Sequence, residues 1–138
     1  MKNLLIALVM GFVVSGQVNA EDCKACALAT HIAALVSKEL PYPASEKTTM
    51  YGVEAEENTV IFKVRYNVTL EELKEMLKQN GLPLGIAKLS IKTAVHNLCQ
   101  ASGPKAFIEL GGRYVYEYYF SDDTYFMNAT LESCSSSS

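Results

Sequence analysis

The alternation of apolar and polar side chains is clearest in the last third of the chain. Between Arg113 and Phe120 a period of two separates the side chains into two sides of a predicted strand. One side carries Tyr114, Tyr116, Tyr118 and Phe120, and the other carries Arg113, Val115, Glu117 and Tyr119. A polar turn over 121–124 leads into a second run, rich in aromatic and β-branched residues, that ends at Cys134. The pattern predicts a β-hairpin whose second strand ends at a cysteine.

A second hairpin is predicted in the first half of the chain. Two runs with strand character cover 48–55 and 59–66, and a polar turn over 56–58 separates them. In the second run the apolar set is Val60, Phe62, Val64 and Tyr66, and it alternates with Ile61, Lys63 and Arg65. This alternation is expected of a strand that buries one face.

Three segments have helical character. The first covers 21–40, lacks Gly and Pro, and ends at Pro41. The second begins at a capping box formed by Thr69 and Glu72 and ends at Gly81. The third covers 86–100 and stops at the sequence Ala-Ser-Gly-Pro over 101–104. Phe107 to Leu110 is interpreted as a short strand, and Gly111 with Gly112 as a turn.

The order of these segments defines the predicted fold class. Strands in separate groups with helices between them predict an α+β domain. We expect an antiparallel sheet of four to five strands with three helices packed mainly on one face, in the order α-β-β-α-α-(β)-β-β, and two disulfides. The predicted domain covers 21–134, and a serine tail covers 135–138.

The first twenty residues are typical of an export signal. Lys2 precedes an apolar core over 4–14, and small residues end the segment at Ala20, after which we predict cleavage. The apolar core is too short to span a bilayer, which takes roughly 20 apolar residues. A bacterial lipoprotein carries its lipid on a cysteine at the first mature position. Here Glu21 and Asp22 lie between the predicted cut and Cys23, so no stable membrane anchor is expected. The predicted location of the mature protein is the periplasm.

Charge and composition exclude one class of partner. The formal net charge is −3, and the charged residues are scattered along the chain. Nucleic-acid binding requires a basic patch or stripe, which this sequence lacks, so no nucleic-acid partner is predicted.

The four cysteines all follow the predicted cut, at Cys23, Cys26, Cys99 and Cys134. An even number of cysteines in an oxidising compartment predicts two disulfides. We favour the pairs Cys23–Cys134 and Cys26–Cys99, which cross-link the first helix to distant elements. The alternative pairs Cys99 with Cys134 and Cys23 with Cys26.

Two other uses of the cysteines are open at this stage. Cys23 and Cys26 have the spacing of a redox motif, and the backbone dipoles at a helix N-terminus stabilise a thiolate. The second use is a zinc site from Cys23, Cys26, His96 and Cys99, whose spacing suits helical ligands. Oxidation during export competes for those thiols, so we predict neither a metal nor a cofactor. The chain has no glycine-rich phosphate loop and no nucleophile elbow, and no catalytic residue or enzyme activity is predicted.

The tyrosines are the candidate partner-binding residues. We assign Tyr114, Tyr116, Tyr118 and Tyr125 to a contact with a protein partner, because tyrosine combines a large rigid ring with a polar tip. The alternative is that these rings belong to the core of the sheet itself. A sheet has two faces, and the helices suffice to cover one of them.

The C-terminal third also resembles a known family. The resemblance rests on Cys99, Gly111, Gly112, Tyr116, Tyr118, Asp122, Asp123 and Cys134. In these residues the chain is similar to the β-type pilotins of type II secretion, which bind a secretin segment. Small periplasmic immunity proteins of type VI secretion share the same general build. Both resemblances imply an exported, disulfide-bonded and non-enzymatic binding protein.

The predicted functions are ranked accordingly. An immunity or enzyme-inhibitor protein that binds a toxin or enzyme stoichiometrically stands first, because the chain is small, acidic and unanchored. A secretion or envelope assembly factor of pilotin type, with a secretion component as partner, stands second. A thiol–disulfide oxidoreductase that uses Cys23 and Cys26 stands third. A homodimer is compatible with each of these functions.

Overall fold

The computed structural model describes residues 23–134 of the chain. The predicted signal peptide, the two residues after it and the serine tail lie outside the described residues. The elements, in chain order, are α1 (Lys24–Ser37), β1 (Tyr42–Pro43), β2 (Thr48–Glu56), β3 (Thr59–Tyr66), α2 (Leu70–Gln79), α3 (Leu84–His96), a 3₁₀ turn (Asn97–Gln100), α4 (Ser102–Glu109), β4 (Arg113–Tyr119) and β5 (Tyr125–Leu131). The α+β class and both hairpins are confirmed.

The five strands form one sheet in the order β1-β2-β3-β4-β5. All neighbours are antiparallel except β3 and β4, which run parallel with Val60 opposite Tyr114 and Val64 opposite Tyr118. Three helices connect β3 to β4, and a connection of that length returns the chain to the end at which β3 began. The prediction of a wholly antiparallel sheet was therefore wrong at this central pair.

Helix α2 begins and ends as the sequence predicts. The Thr69 hydroxyl accepts a hydrogen bond from the Glu72 amide at 3.1 Å, and the Glu72 carboxylate accepts one from the Thr69 amide at 2.8 Å. At the other end Gly81 has a φ of +69°, and the Leu82 amide donates to the Leu77 carbonyl at 2.9 Å. This C-terminal motif favours glycine, because glycine has no Cβ and adopts the left-handed backbone conformation without a steric penalty.

Helix α4 is the element that the sequence reasoning missed. The segment predicted as a strand, Phe107 to Leu110, instead forms the end and C-cap of a helix that begins at Ser102, inside the segment predicted only to stop α3. Pro104 is the third residue of α4, in the first turn, where amides have no intrahelical partner to lose. Phe107 and Ile108 are both buried, which a helix of eight residues achieves by turning one side to the sheet.

The core lies between one face of the sheet and the helices, as predicted. Its sheet side consists of Val60, Phe62, Val64, Tyr66, Tyr114, Met127, Ala129 and Leu131. Its helix side includes Ala25 and Ala29 of α1, Ile91 and Val95 of α3, and Phe107 and Ile108 of α4. Ala25 and Ala29 are small enough to let α1 approach the backbone of β2 and β3 closely.

Candidate functional site

The four candidate tyrosines occupy three different environments. The Tyr114 ring is only 6% exposed and lies 5.0 Å from the ring of Phe107, centroid to centroid. Tyr116 is partly buried and stacks on Phe62 at 4.6 Å. Tyr118 is also partly buried, whereas Tyr125 is 51% exposed at the start of β5. Because Tyr114 is part of the core, its ring is not presented at the surface of this structure.

Tyr118 forms part of the floor of a groove on the helix-covered face. We call it the tyrosine groove, and its volume is about 630 Å³. Tyr66 and Tyr118 form its floor, Ser90, Ile91 and Ala94 of α3 form one wall, and the segment Ala44–Thr48 forms the other. The rings of Tyr66 and Tyr118 lie 6.0 Å apart. The groove is thus apolar and aromatic at its base, with charged side chains of the 44–48 segment at its rim.

The packing of the helices explains why the groove is open. Helix α1 lies over β2 and β3, while α3 lies over β5. The face of the sheet between these two helices is only partly covered. A second, smaller cavity of about 260 Å³ lies beside α1 and is lined by Val36, Glu39, Tyr42, Met50 and Phe62.

The phenols at the groove remain protonated across the physiological pH range. Burial raises the pKa of Tyr118 to about 12, and the neighbouring phenol of Tyr66 adds to the shift. Burial also raises the pKa of Tyr116 and of Tyr66 above the ordinary tyrosine value. The floor therefore carries no charge but keeps hydroxyl groups that can donate or accept hydrogen bonds.

These shifts predict an alkaline loss of stability with a definite sign. Above pH 10 the unfolded chain loses the Tyr118 proton, while the folded protein keeps it up to about pH 12. The stability that this group contributes is fully present below pH 10 and falls as the pH rises from 10 to 12. In urea titrations from pH 9 to 11.5, Tyr118→Phe is expected to lose free energy of unfolding less steeply than the wild type. Tyr42→Phe, at an exposed tyrosine, is the control, and equal slopes for Tyr118→Phe and wild type would contradict the assignment.

The disulfides follow the alternative pairing. Cys23 bonds to Cys26, with 5.3 Å between the Cα atoms, and Cys99 bonds to Cys134, with 5.6 Å between the Cα atoms. The favoured pairs Cys23–Cys134 and Cys26–Cys99 were therefore wrong. The reason is the packing of α3 on β5, which brings the 3₁₀ turn after α3 to the end of the last strand.

The same pairing removes the zinc interpretation. All four cysteines are in disulfides, so no thiolate is free to join His96 as a metal ligand. Within residues 23–134 no group of three or more His, Cys, Asp or Glu side chains is placed to hold a metal ion. A redox role for the Cys23–Cys26 pair stays a prediction, which its resistance to mild reductant would test.

A cluster of three rings, two partly buried and one exposed, lies on the opposite face of the sheet. There Tyr119 contacts Tyr125 at 5.6 Å and Tyr51 at 6.4 Å between ring centroids. The Arg65 guanidinium lies 4.2 Å from the centre of the Tyr51 ring and pairs with Asp123 at 2.8 Å. Sequence reasoning named Tyr125 and left open which face of the sheet is exposed. The alternation does separate Tyr119 from Tyr118, yet it does not tell which side the helices cover.

No protein-family model and no curated protein sequence matches the chain, but solved structures do. The pilotin EpsS of the Vibrio vulnificus type 2 secretion system aligns with a TM-score of 0.60 at 17% identity, over 78% of this chain and 87% of that one. The type II secretion pilotin AspS of Vibrio cholerae aligns with a TM-score of 0.62 at 19% identity, over 81% and 93%. A protein of Pseudomonas aeruginosa described as secreted aligns at 0.61 and 12% identity, over 80% and 90%.

These likenesses show a shared fold. The likeness in fold covers about four-fifths of the chain, whereas the resemblance in sequence rests on residues of its last third. Among the helices that the structure describes, none is both long enough and apolar enough to cross a membrane.

Proposed function

We propose that this protein is an exported, non-enzymatic binding module of pilotin type, which takes up a segment of a secretion component in the tyrosine groove. The observation that carries the proposal is the shared fold with two type II secretion pilotins, combined with an open groove on the helix-covered face. Tyr118 is one of the residues on which the sequence resemblance to pilotins rests, and it also forms part of the groove floor. The segment inferred from the resemblance is part of a secretin.

The chemistry of the groove supports a protein segment as the ligand. Its base presents aromatic and aliphatic surface, and Ser90, Glu46 and Lys47 supply polar groups at the margin. Such a surface binds by burying apolar side chains, with a few hydrogen bonds that fix orientation. Two disulfides in so small a domain fit an oxidising compartment, which supports export to the periplasm.

The immunity or inhibitor interpretation, first in the ranking from sequence, now stands behind the pilotin interpretation. None of the three solved structures described above is an immunity protein or an enzyme inhibitor by its description. Of the four candidate contact residues, Tyr114 is buried in the core, Tyr116 and Tyr118 are partly buried, and Tyr125 is exposed.

A pair of neighbouring substitutions on α3 tests the proposal. Ala94→Arg places a long charged side chain in the tyrosine groove, whereas Thr93→Arg adds the same side chain at an exposed position outside the groove lining. We expect Ala94→Arg to weaken binding of a secretin segment from the same genome by about tenfold or more, because it fills the space a ligand needs. Thr93→Arg is expected to bind like the wild type.

Fluorescence anisotropy with a labelled segment measures the affinity, and thermal unfolding shows that both variants fold. Equal affinities for the two variants would place the contact elsewhere. Failure of the wild-type protein to bind any secretin segment from its own genome would remove the pilotin assignment.

A further inference from the structure

The two edges of the sheet are unlike. Strand β1 has two residues and contains Pro43, which has no amide to donate to a neighbouring strand. Strand β5 has seven residues, Tyr125–Leu131, without proline, glycine or charge. Natural sheets usually protect an edge of that length with charged residues, proline or a bulge that interrupts it. Here the irregularity lies at the start of the strand, next to Tyr125.

The side of β5 that faces away from β4 pairs with no other strand among the described residues. The strand pairs with β4, and no other described strand lies beyond it. In a strand the backbone groups of alternate residues point to opposite sides, so about half of the β5 amides and carbonyls point outward. Helix α3 lies over the buried side chains Met127, Ala129 and Leu131, whereas Asn128 and Thr130 of the same strand are exposed.

A row of basic residues on α3 runs along the same edge, at Lys88, Lys92 and His96. The Lys88 ammonium lies 5.6 Å from the centre of the Phe126 ring. Lys92 and His96 line a cavity of about 300 Å³ together with residues 128–131 of β5. Helix α3 contains no Asp or Glu, although the chain as a whole carries a net charge of −3. The edge is thus locally basic on an acidic protein.

The spacing of this basic row suits an added strand. Residues four apart on a helix are separated by about 6 Å along its axis. Alternate residues of a strand are separated by about 6.6 Å and point to the same face. Consecutive members of the row can therefore each meet one side chain of a strand that extends the sheet beyond β5.

We propose that the β5 edge binds an extended acidic segment of a protein partner by strand addition. The backbone of the segment pairs with the outer side of β5, and acidic side chains on alternate residues contact Lys88, Lys92 and His96. A second copy of this chain fits less well, because pairing two β5 strands places two basic rows on or near one seam. The site goes beyond the proposed function, since the tyrosine groove uses the other side of α3, at Ser90, Ile91 and Ala94.

Two synthetic nine-residue peptides provide the probe, one that alternates Glu with Val and one that alternates Lys with Val. At low ionic strength we expect the Glu peptide to bind about tenfold more tightly than the Lys peptide. Amide hydrogen exchange measured by NMR should show new protection at every second residue of 125–131. The charge reversal Lys88→Glu/Lys92→Glu should invert the preference between the peptides.

The matched control is Lys24→Glu/Lys38→Glu, which makes the same change in net charge around α1 and should keep the preference for the Glu peptide. Ala94→Arg should bind the Glu peptide like the wild type, so this result is separate from the outcome for the groove. Equal affinity for both peptides, or protection confined to the helices, would overturn the proposal. Concentration-dependent dimers with β5 protected in the absence of peptide would assign the edge to a second copy instead.

Discussion

A variant in which Cys99 and Cys134 are both replaced by alanine is expected to lose about 4 kcal/mol of unfolding free energy. The bridge joins residues 35 positions apart, so its removal frees a long loop in the unfolded chain. Cys23 and Cys26 are 3 positions apart, and the same relation gives about 2 kcal/mol for their replacement. The longer bridge also ties the turn after α3 to the end of β5.

Urea unfolding of the two double variants measures this difference. The Cys23→Ala/Cys26→Ala variant is the matched control, because it also removes one bridge and two sulfur atoms. The Cys99→Ala/Cys134→Ala variant is expected to be the less stable of the two by about 2 kcal/mol. A reversed order would show that the short bridge holds the fold, which is the opposite of what loop length implies.

The second large effect is expected where α4 meets the start of β4. The Phe107 side chain is 1% exposed, and an added Cβ on Gly112 would overlap its ring. Phe107→Ala should cost about 3–5 kcal/mol, from lost burial and the cavity left behind. Gly112→Ala should cost about 1–3 kcal/mol in the wild type, because the ring has no room to move in the core.

The two changes are expected to be strongly coupled. Once Phe107 is alanine, a methyl group at Gly112 meets empty space, so Gly112→Ala should then cost almost nothing. Gly85→Ala in α3 is the control: apart from its chain neighbours and its own helix backbone no atom lies within 4 Å of the added Cβ, and alanine is the better helix former. Denaturant unfolding of the four cycle members checks this, and additive costs for Phe107 and Gly112 would contradict the packing described.

Local signals in the sequence predicted most of the elements. The capping box at Thr69, the left-handed Gly81 and the two hairpins depend on neighbouring residues, which the sequence displays directly. The segment from Phe107 to Leu110 has three apolar residues around Glu109, and it is too short for its pattern to distinguish a strand from a helix. The parallel pairing of β3 with β4 depends on how the three helices between them pack and bring the chain back to the start of β3. No local sequence pattern encodes that packing.

The site was predictable only in part for the same reason. Period-two alternation identifies Tyr118 and Tyr119 as residues of opposite faces, but the covered face is decided by where α1 and α3 pack. The groove wall at Ser90 and Ala94 consists of small residues with no chemical signature of their own. Both disulfide pairings satisfied the spacing arguments, and the packing of α3 on β5 decided between them.

We propose that a secretin segment binds in the tyrosine groove, and NMR titration of the mature protein with that segment is the most direct test, since it reports every amide and tyrosine ring at once. Saturable shifts are expected to centre on residues of the groove, Thr48, Tyr66, Ile91, Ala94 and Tyr118. Tyr51 and Tyr119, on the face of the sheet opposite the helices, should stay unchanged. Saturable shifts centred on Tyr51 and Tyr119 instead, or no binding at all, would contradict the proposal.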